Sequence, residues 1–167
     1  MVGGRAVRVE TALVIGAPRA RVWSALVDLE RYAEWNHHIV GARGEVADGA
    51  FLDLAMNLAP GHHTPVTVRV TEFRVPEVLE WRWEHEVPGL FSVCHRFELD
   101  VVEAGTHLRN EVELGGTLAE ATSELLRQTM TERFVAMNDD LATYVGAPPA
   151  RRKPVIGTNE PWPKERD

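Results

Sequence analysis

Three polar residues occupy positions where the alternation of a strand calls for an apolar side chain: His85, His95 and Asn110. His85 continues the face begun by Trp81 and Trp83, His95 lies between Val93 and Phe97, and Asn110 lies between Leu108 and Val112. Burying an unpaired polar group costs about 1–3 kcal/mol, so residues of this kind are either satisfied locally or kept for a purpose. An imidazole that titrates near neutral pH, beside an amide able to donate to a carbonyl, suits enolisation, aldol cyclisation or dehydration. These three are therefore the candidate catalytic residues. The plainer alternative is that each bonds backbone or water and orients a ligand, or simply ends a strand. Arg133, in the C-terminal helical segment, could reach a ligand carboxylate or carbonyl, but an outward salt bridge with a neighbouring acid is the expectation.

Metal chemistry finds little support. The pairs His37-His38 and His62-His63 are adjacent residues, which point to opposite faces of a strand, and neither H-x-H nor H-x-x-x-H occurs. Cys94 is the single cysteine, so no internal disulfide can form, and it reads as a small strand residue. No G-x-S-x-G elbow, phosphate-cradling glycine loop or dinucleotide fingerprint is present. No metal and no cofactor are expected.

The elements that must position these residues follow from periodicity. Val7 to Ile15 alternates as a strand, with Val7, Val9, Thr11, Leu13 and Ile15 on one face. Pro18 opens a helix carrying Val22, Trp23, Leu26, Val27 and Leu29, and a short second turn carries Tyr32 and Trp35. After His38 the period becomes two, with turn signals at Asp48-Gly49, Pro60-Gly61, Val75-Pro76, Pro88-Gly89 and Ala104-Gly105. That describes a meander whose dry face carries Leu52, Leu54, Met56 and Leu58; Val66, Val68 and Val70; Trp81 and Trp83; Phe91, Val93, Phe97 and Leu99; and Leu108, Val112 and Leu114. Thr117, with Glu120, forms a capping box for one uninterrupted helix to about Val145. Its inward face is read as Leu118, Thr122, Leu125, Thr129, Phe134, Met137, Leu141 and Tyr144.

The fold class is thus α+β: a curved seven-stranded antiparallel sheet wrapped around a long C-terminal helix, with two short helices after strand 1. A single helix seldom fills such a curve, which leaves an apolar pocket. The expected ligand-binding lining is Leu54, Met56, Val68, Trp81, Trp83, Phe91, Val93, Phe97, Leu108, Val112, Leu125, Phe134 and Met137. Residues 1–146 form the domain. Residues 147–167, rich in Pro and charge, read as an extended tail from which Val155, Ile156 or Trp162 could dock.

Composition fits a single globular domain: 167 residues, 44% hydrophobic, 26% charged. A formal net charge of -7 with interspersed basic residues argues against nucleic acid. No apolar run reaches the length of a membrane span and no signal-peptide pattern opens the chain, so no stable membrane insertion and a cytoplasmic location are expected. A monomer and a homodimer are both compatible with the sequence.

Ile15-Gly16-Ala17-Pro18, then Val22-Trp23, Leu26-Val27-Asp28, Tyr32 and Trp35, followed by the meander, Gly105-Thr106 and the terminal helix, resemble the helix-grip superfamily called SRPBCC over residues 7–146. That superfamily includes START domains, birch-pollen-type allergens, polyketide cyclases and heat-shock ATPase activators. Asn36 departs from it, since many relatives have Pro after the Trp. The resemblance implies hydrophobic-ligand binding or transport, or cyclase and dehydratase chemistry on polyketides, and carries over no universal catalytic residue. Three functions follow as expectations: a carrier or sensor for a lipid, polyketide or aromatic compound; a polyketide aromatase, cyclase or dehydratase using His85, His95 and Asn110; and a protein-interaction module.

Overall fold

The computed structural model describes residues 6–146; the tail, with Val155, Ile156 and Trp162, lies outside the described residues. Strand β1 (Val7–Ile15) leads through α1 (Arg19–Val27), a 3-10 turn (Leu29–Arg31) and α2 (Tyr32–Trp35) into the meander. The meander comprises β2 (Ile39–Arg43), β3 (Phe51–Ala59), β4 (His62–Arg74), β5 (Val78–Glu84), β6 (Ser92–Val102) and β7 (Gly105–Gly115). The helices α3 (Thr117–Ala121) and α4 (Ser123–Gly146) follow. The seven strands form one curved antiparallel sheet in the order β1-β7-β6-β5-β4-β3-β2, so the first strand closes against the last.

Alternation sets the two faces. On β7, Thr106, Leu108, Asn110, Val112 and Leu114 are buried, while His107, Arg109, Glu111 and Glu113 face outward. The outer face is laced with ion pairs: Arg96 to Glu72, Glu80 and Glu98, Arg109 to Glu98, and Arg8 to Glu111 and Glu113. Half-buried Cys94 lies on this outer face among Glu80, Arg96 and Glu113.

The two sequence signatures meet in space. Gly105 turns from β6 into β7 at φ +131°, and a Cβ there would collide with the carbonyl oxygen of Ile15. Next to it, Thr106 Oγ1 donates to the carbonyl of Ala17 at 2.7 Å, fixing the Gly16-Ala17-Pro18 corner that launches α1.

The terminal helix departs from expectation in three ways. It is broken at Thr122 (φ -117°, ψ 21°), whose hydroxyl donates to the Leu118 carbonyl and so bonds the backbone locally at the end of α3. Its N-cap is Gly116, with no side-chain cap bond, because the amides of Thr117 and Leu118 donate to Gly89 and Leu90 carbonyls of the β5–β6 loop. The expected stripe holds only in its second half: Phe134, Met137 and Leu141 are buried, whereas before them the inward face runs through Ala119, Leu126 and Met130. Leu118 and Leu125 are 50% and 67% exposed, and the inward stripe is Leu126, Met130, Phe134, Met137, Asn138, Leu141 and Val145. A further departure is Leu58, which is half exposed because the β3–β4 register shifts between Asn57 and Ala59.

Candidate functional site

Four buried polar side chains form one chain across four elements. Asn110 on β7 donates from Nδ2 to Asn138 Oδ1 on α4 at 2.9 Å, and Asn138 Nδ2 donates to Thr11 Oγ1 on β1, also at 2.9 Å. Asn110 Oδ1 therefore faces His95 on β6, and the 2.7 Å contact requires His95 to donate from Nε2. Its Nδ1 then carries a lone pair, with no hydrogen-bond partner among the described residues.

His95 is encased in aromatic rings. Phe134 stacks on it at 4.7 Å, Phe97 lies at 4.3 Å, and Trp81 meets it edge-on at 5.3 Å. Burial pushes its pKa down to about 3, opposed by the Asn110 hydrogen bond and reinforced by nearby His38. The imidazole is thus neutral at physiological pH.

The expected polar trio is only partly assembled: His95 and Asn110 join, and His85 does not. His85 follows the last residue of β5, its amide donates to Phe91 O, and its Nδ1 accepts from the Val87 amide at 3.0 Å. It serves the β5–β6 turn. Asn138 and Thr11 take its place in the cluster. Thr11 lies on the predicted inner face of β1, and Asn138 lies one turn after Phe134, on the face that Phe134 and Met137 mark.

Of the expected lining, Leu54, Val68, Trp81, Phe97, Leu108, Val112, Phe134 and Met137 are buried core, while Met56, Trp83, Phe91 and Val93 are half-buried. Leu125 points outward. The half-buried residues have a geometric cause. The α4 backbone packs mainly against β1, and less against α1 and β7, while α1 approaches β6, so much of the inner face of β3–β5 is covered by side chains. Met56, Val66, Trp83 and Val93 of the sheet, with Leu126 and Met130 of α4, are partly buried against the core.

A cavity of about 260 Å³ opens further along α4, lined by His37, His38, Asn57, Ala59, Pro60, Arg133, Ala136, Met137 and Asp140. Its wall is more polar than the sequence suggests. Arg133 forms no salt bridge among the described residues; it reaches across to the β3 end, donating to the carbonyls of Asn57 and Leu58 at 2.9 Å each and to His38 Nδ1 at 3.1 Å. Burial, then the Arg133 charge, lowers the His38 pKa to about 4. His37 and Asp140 pair at 2.6 Å, so the two histidines, in the bend between α2 and β2, take different partners. Met137 links the two regions: it lines the cavity, and its Sδ receives a 3.6 Å contact from Asn110 Nδ2.

The sequence profile described as polyketide cyclase / dehydrase and lipid transport matches residues 6–146. The chain belongs to that family. No curated protein matches the chain by sequence. Among solved structures, ZhuI aromatase/cyclase from Streptomyces sp. R1128 superposes with a TM-score of 0.67 at 19% identity, covering 84% of this chain and 94% of that one. A START superfamily protein from Mycobacterium smegmatis gives 0.68 at 16% identity, covering 83% and 96%. Protein MLL2253 from Mesorhizobium loti gives 0.64 at 18%, covering 81% and 94%. At these identities the likeness establishes the helix-grip fold. Within the polyketide cyclase/dehydrase and lipid transport family, what sets this chain's site is its own chemistry: a neutral buried histidine at one end and an arginine-bearing cavity at the other. No helix among the described residues is long and apolar enough to cross a membrane.

Proposed function

We propose that this protein holds a hydrophobic small molecule, a lipid, polyketide or aromatic compound, between α4 and the inner face of the sheet, as a carrier or sensor. The observation that carries the reading is the set of half-buried apolar side chains packed against the core, Met56, Val66, Trp83 and Val93 of the sheet with Leu126 and Met130 of α4. Apolar surface left open inside a curved sheet is what a flat or chain-like apolar ligand would cover, and Trp83 offers a ring for offset stacking. Native mass spectrometry of freshly purified protein, followed by organic extraction, tests it. A stoichiometric apolar passenger supports the reading. An empty protein that shows no thermal shift with fatty acids, sterols, flavonoids or polyketide mimics sinks it.

A second reading, an aromatase, cyclase or dehydratase, is favoured by the His95–Asn110–Asn138–Thr11 chain and by the likeness to ZhuI, which is an aromatase/cyclase. In this reading Met137, unbranched and flexible, swings aside to let a substrate carbonyl approach the His95–Asn110 pair. A pKa of about 3 makes unliganded His95 a weak base and an empty proton store at neutral pH, so catalysis would need the bound substrate to raise it. That requirement places binding first. His95→Phe separates the two readings: apolar ligand affinity survives under the first, and turnover of a polyketide mimic is lost under the second.

A further inference from the structure

We propose that the cavity beside Arg133 is a carboxylate subsite, and that the apolar molecule held against the sheet is a carboxylic acid. The proposal rests on the ligand-holding reading and names the chemistry of its head group.

Among the described residues, Arg133 forms no ion pair. The outer-face arginines Arg96, Arg109 and Arg8 each have glutamate partners, whereas Arg133 has no carboxylate within ion-pair distance among the described residues. All of its acceptors are neutral: two main-chain carbonyls and the lone pair of His38. A guanidinium drawn partly out of water is costly unless an anion meets it.

Its bonding capacity is also incomplete. A guanidinium has five N–H groups, and three are engaged here, two on Nη1 and one on Nη2. The Nε–H and the second Nη2–H remain, on the neighbouring nitrogens that a bidentate carboxylate bridges. Asp140, the acid on the cavity wall, is already held by His37. Asn57 Oδ1 on the same wall is buried without a partner and would accept from a hydroxyl next to the acid group.

Position completes the argument. One turn before Arg133, α4 carries Met130, and a turn earlier Leu126, both half-buried against the core, and one turn after it presents Met137 to the cavity. A carboxylate on Arg133 would therefore leave its apolar body beside the apolar side chains that flank it on α4.

Isothermal titration at pH 7.5 with two matched pairs, 2-naphthoate against 2-naphthylmethanol and dodecanoate against dodecanol, tests the proposal and tells an aromatic from a fatty body. One acid should bind about 10- to 100-fold more tightly than its alcohol, the range of a charge-assisted hydrogen bond. Arg133→Gln should remove that preference while leaving alcohol affinity in place. Should this variant not fold, Asp140→Asn serves instead: removing the negative charge from the wall should tighten acid binding and leave the alcohol unchanged. Equal binding of acid and alcohol, or an acid preference that neither variant alters, overturns the subsite and leaves the ligand-holding reading standing. No binding by any of the four compounds overturns both.

Discussion

Two buried histidines that are neutral in the folded protein should make its stability fall steeply in mild acid. His95 and His38 are 5% and 8% exposed, and their folded pKa values are about 3 and about 4, against an ordinary 6.5. The unfolded chain therefore binds more protons than the folded one below pH 6.5. Their contribution to stability is fully present above pH 6.5, is lost as the pH falls, and stops changing below the folded values. Between pH 7.5 and pH 5 each histidine costs about 2 kcal/mol, so the pair costs about 4 kcal/mol, a large share of the 5–15 kcal/mol typical of a domain. Urea unfolding followed by tryptophan fluorescence at pH 7.5, 6.5, 5.5 and 5.0 measures the loss. Two substitutions keep the hydrogen bonds without the titration: His95→Gln retains a donor towards Asn110, and His38→Asn retains an acceptor for Arg133. Each should remove about half of the difference between pH 7.5 and 5 that these two residues cause, and the double variant nearly all of it. Because other groups titrate identically in each protein, the comparison isolates these two. A double variant with the same pH dependence as the parent would refute the assignment of both as buried and neutral.

Asn138→Leu would leave Asn110 Nδ2 and Thr11 Oγ1 without their partner in a buried setting, and should lower the unfolding free energy by about 1–3 kcal/mol in urea titration. Phe134→Ala and Leu125→Ala test the phase of α4 as a pair. The first should cost about 3–5 kcal/mol, the second no more than about 0.5 kcal/mol; equal costs would mean that the inner stripe does not run through Leu126, Met130 and Phe134.

Where sequence and structure agree, a repeated local signal was present. Period-two alternation across six meander strands and the paired signatures Gly16-Ala17-Pro18 and Gly105-Thr106 identify the sheet, because every residue on a buried face obeys the same constraint. Where they part, one side chain or one tertiary contact decides. Thr122 bends the helix through its own hydroxyl, and carbonyls of the β5–β6 loop replace the capping box. The expected face of α4 slips by one position before Phe134, so Leu126 packs inward in place of Leu125, while Asn138, one turn after Phe134, joins the polar chain. Arg133 turns inward because two strand-end carbonyls, exposed by the register shift after Asn57, lie within its reach. Alternation could place His95 and Asn110 on one face, but not Thr11 opposite Asn110 across the β1–β7 pairing. That juxtaposition depends on the first strand closing against the last.

The two attachments of α4 differ in kind, and the difference bears on how a ligand would enter. Towards β1 and β7 the helix is tied by neutral amide and hydroxyl bonds among buried groups, Asn138 to Thr11 and Asn110. Breaking them exposes nothing to water and leaves unpaired polar atoms in the core, which costs about 1–3 kcal/mol for each group. Towards β3 the helix is tied by Arg133 to carbonyls next to an exposed turn. Releasing that tie lets water solvate the guanidinium and the two carbonyls, although it also leaves the buried His38 Nδ1 without its donor. The β1 side of the helix should therefore cost more to open than the β3 side, because more buried groups lose their partners there. A carboxylate on the remaining N–H groups of Arg133 would add a tie on the β3 side without breaking those already made.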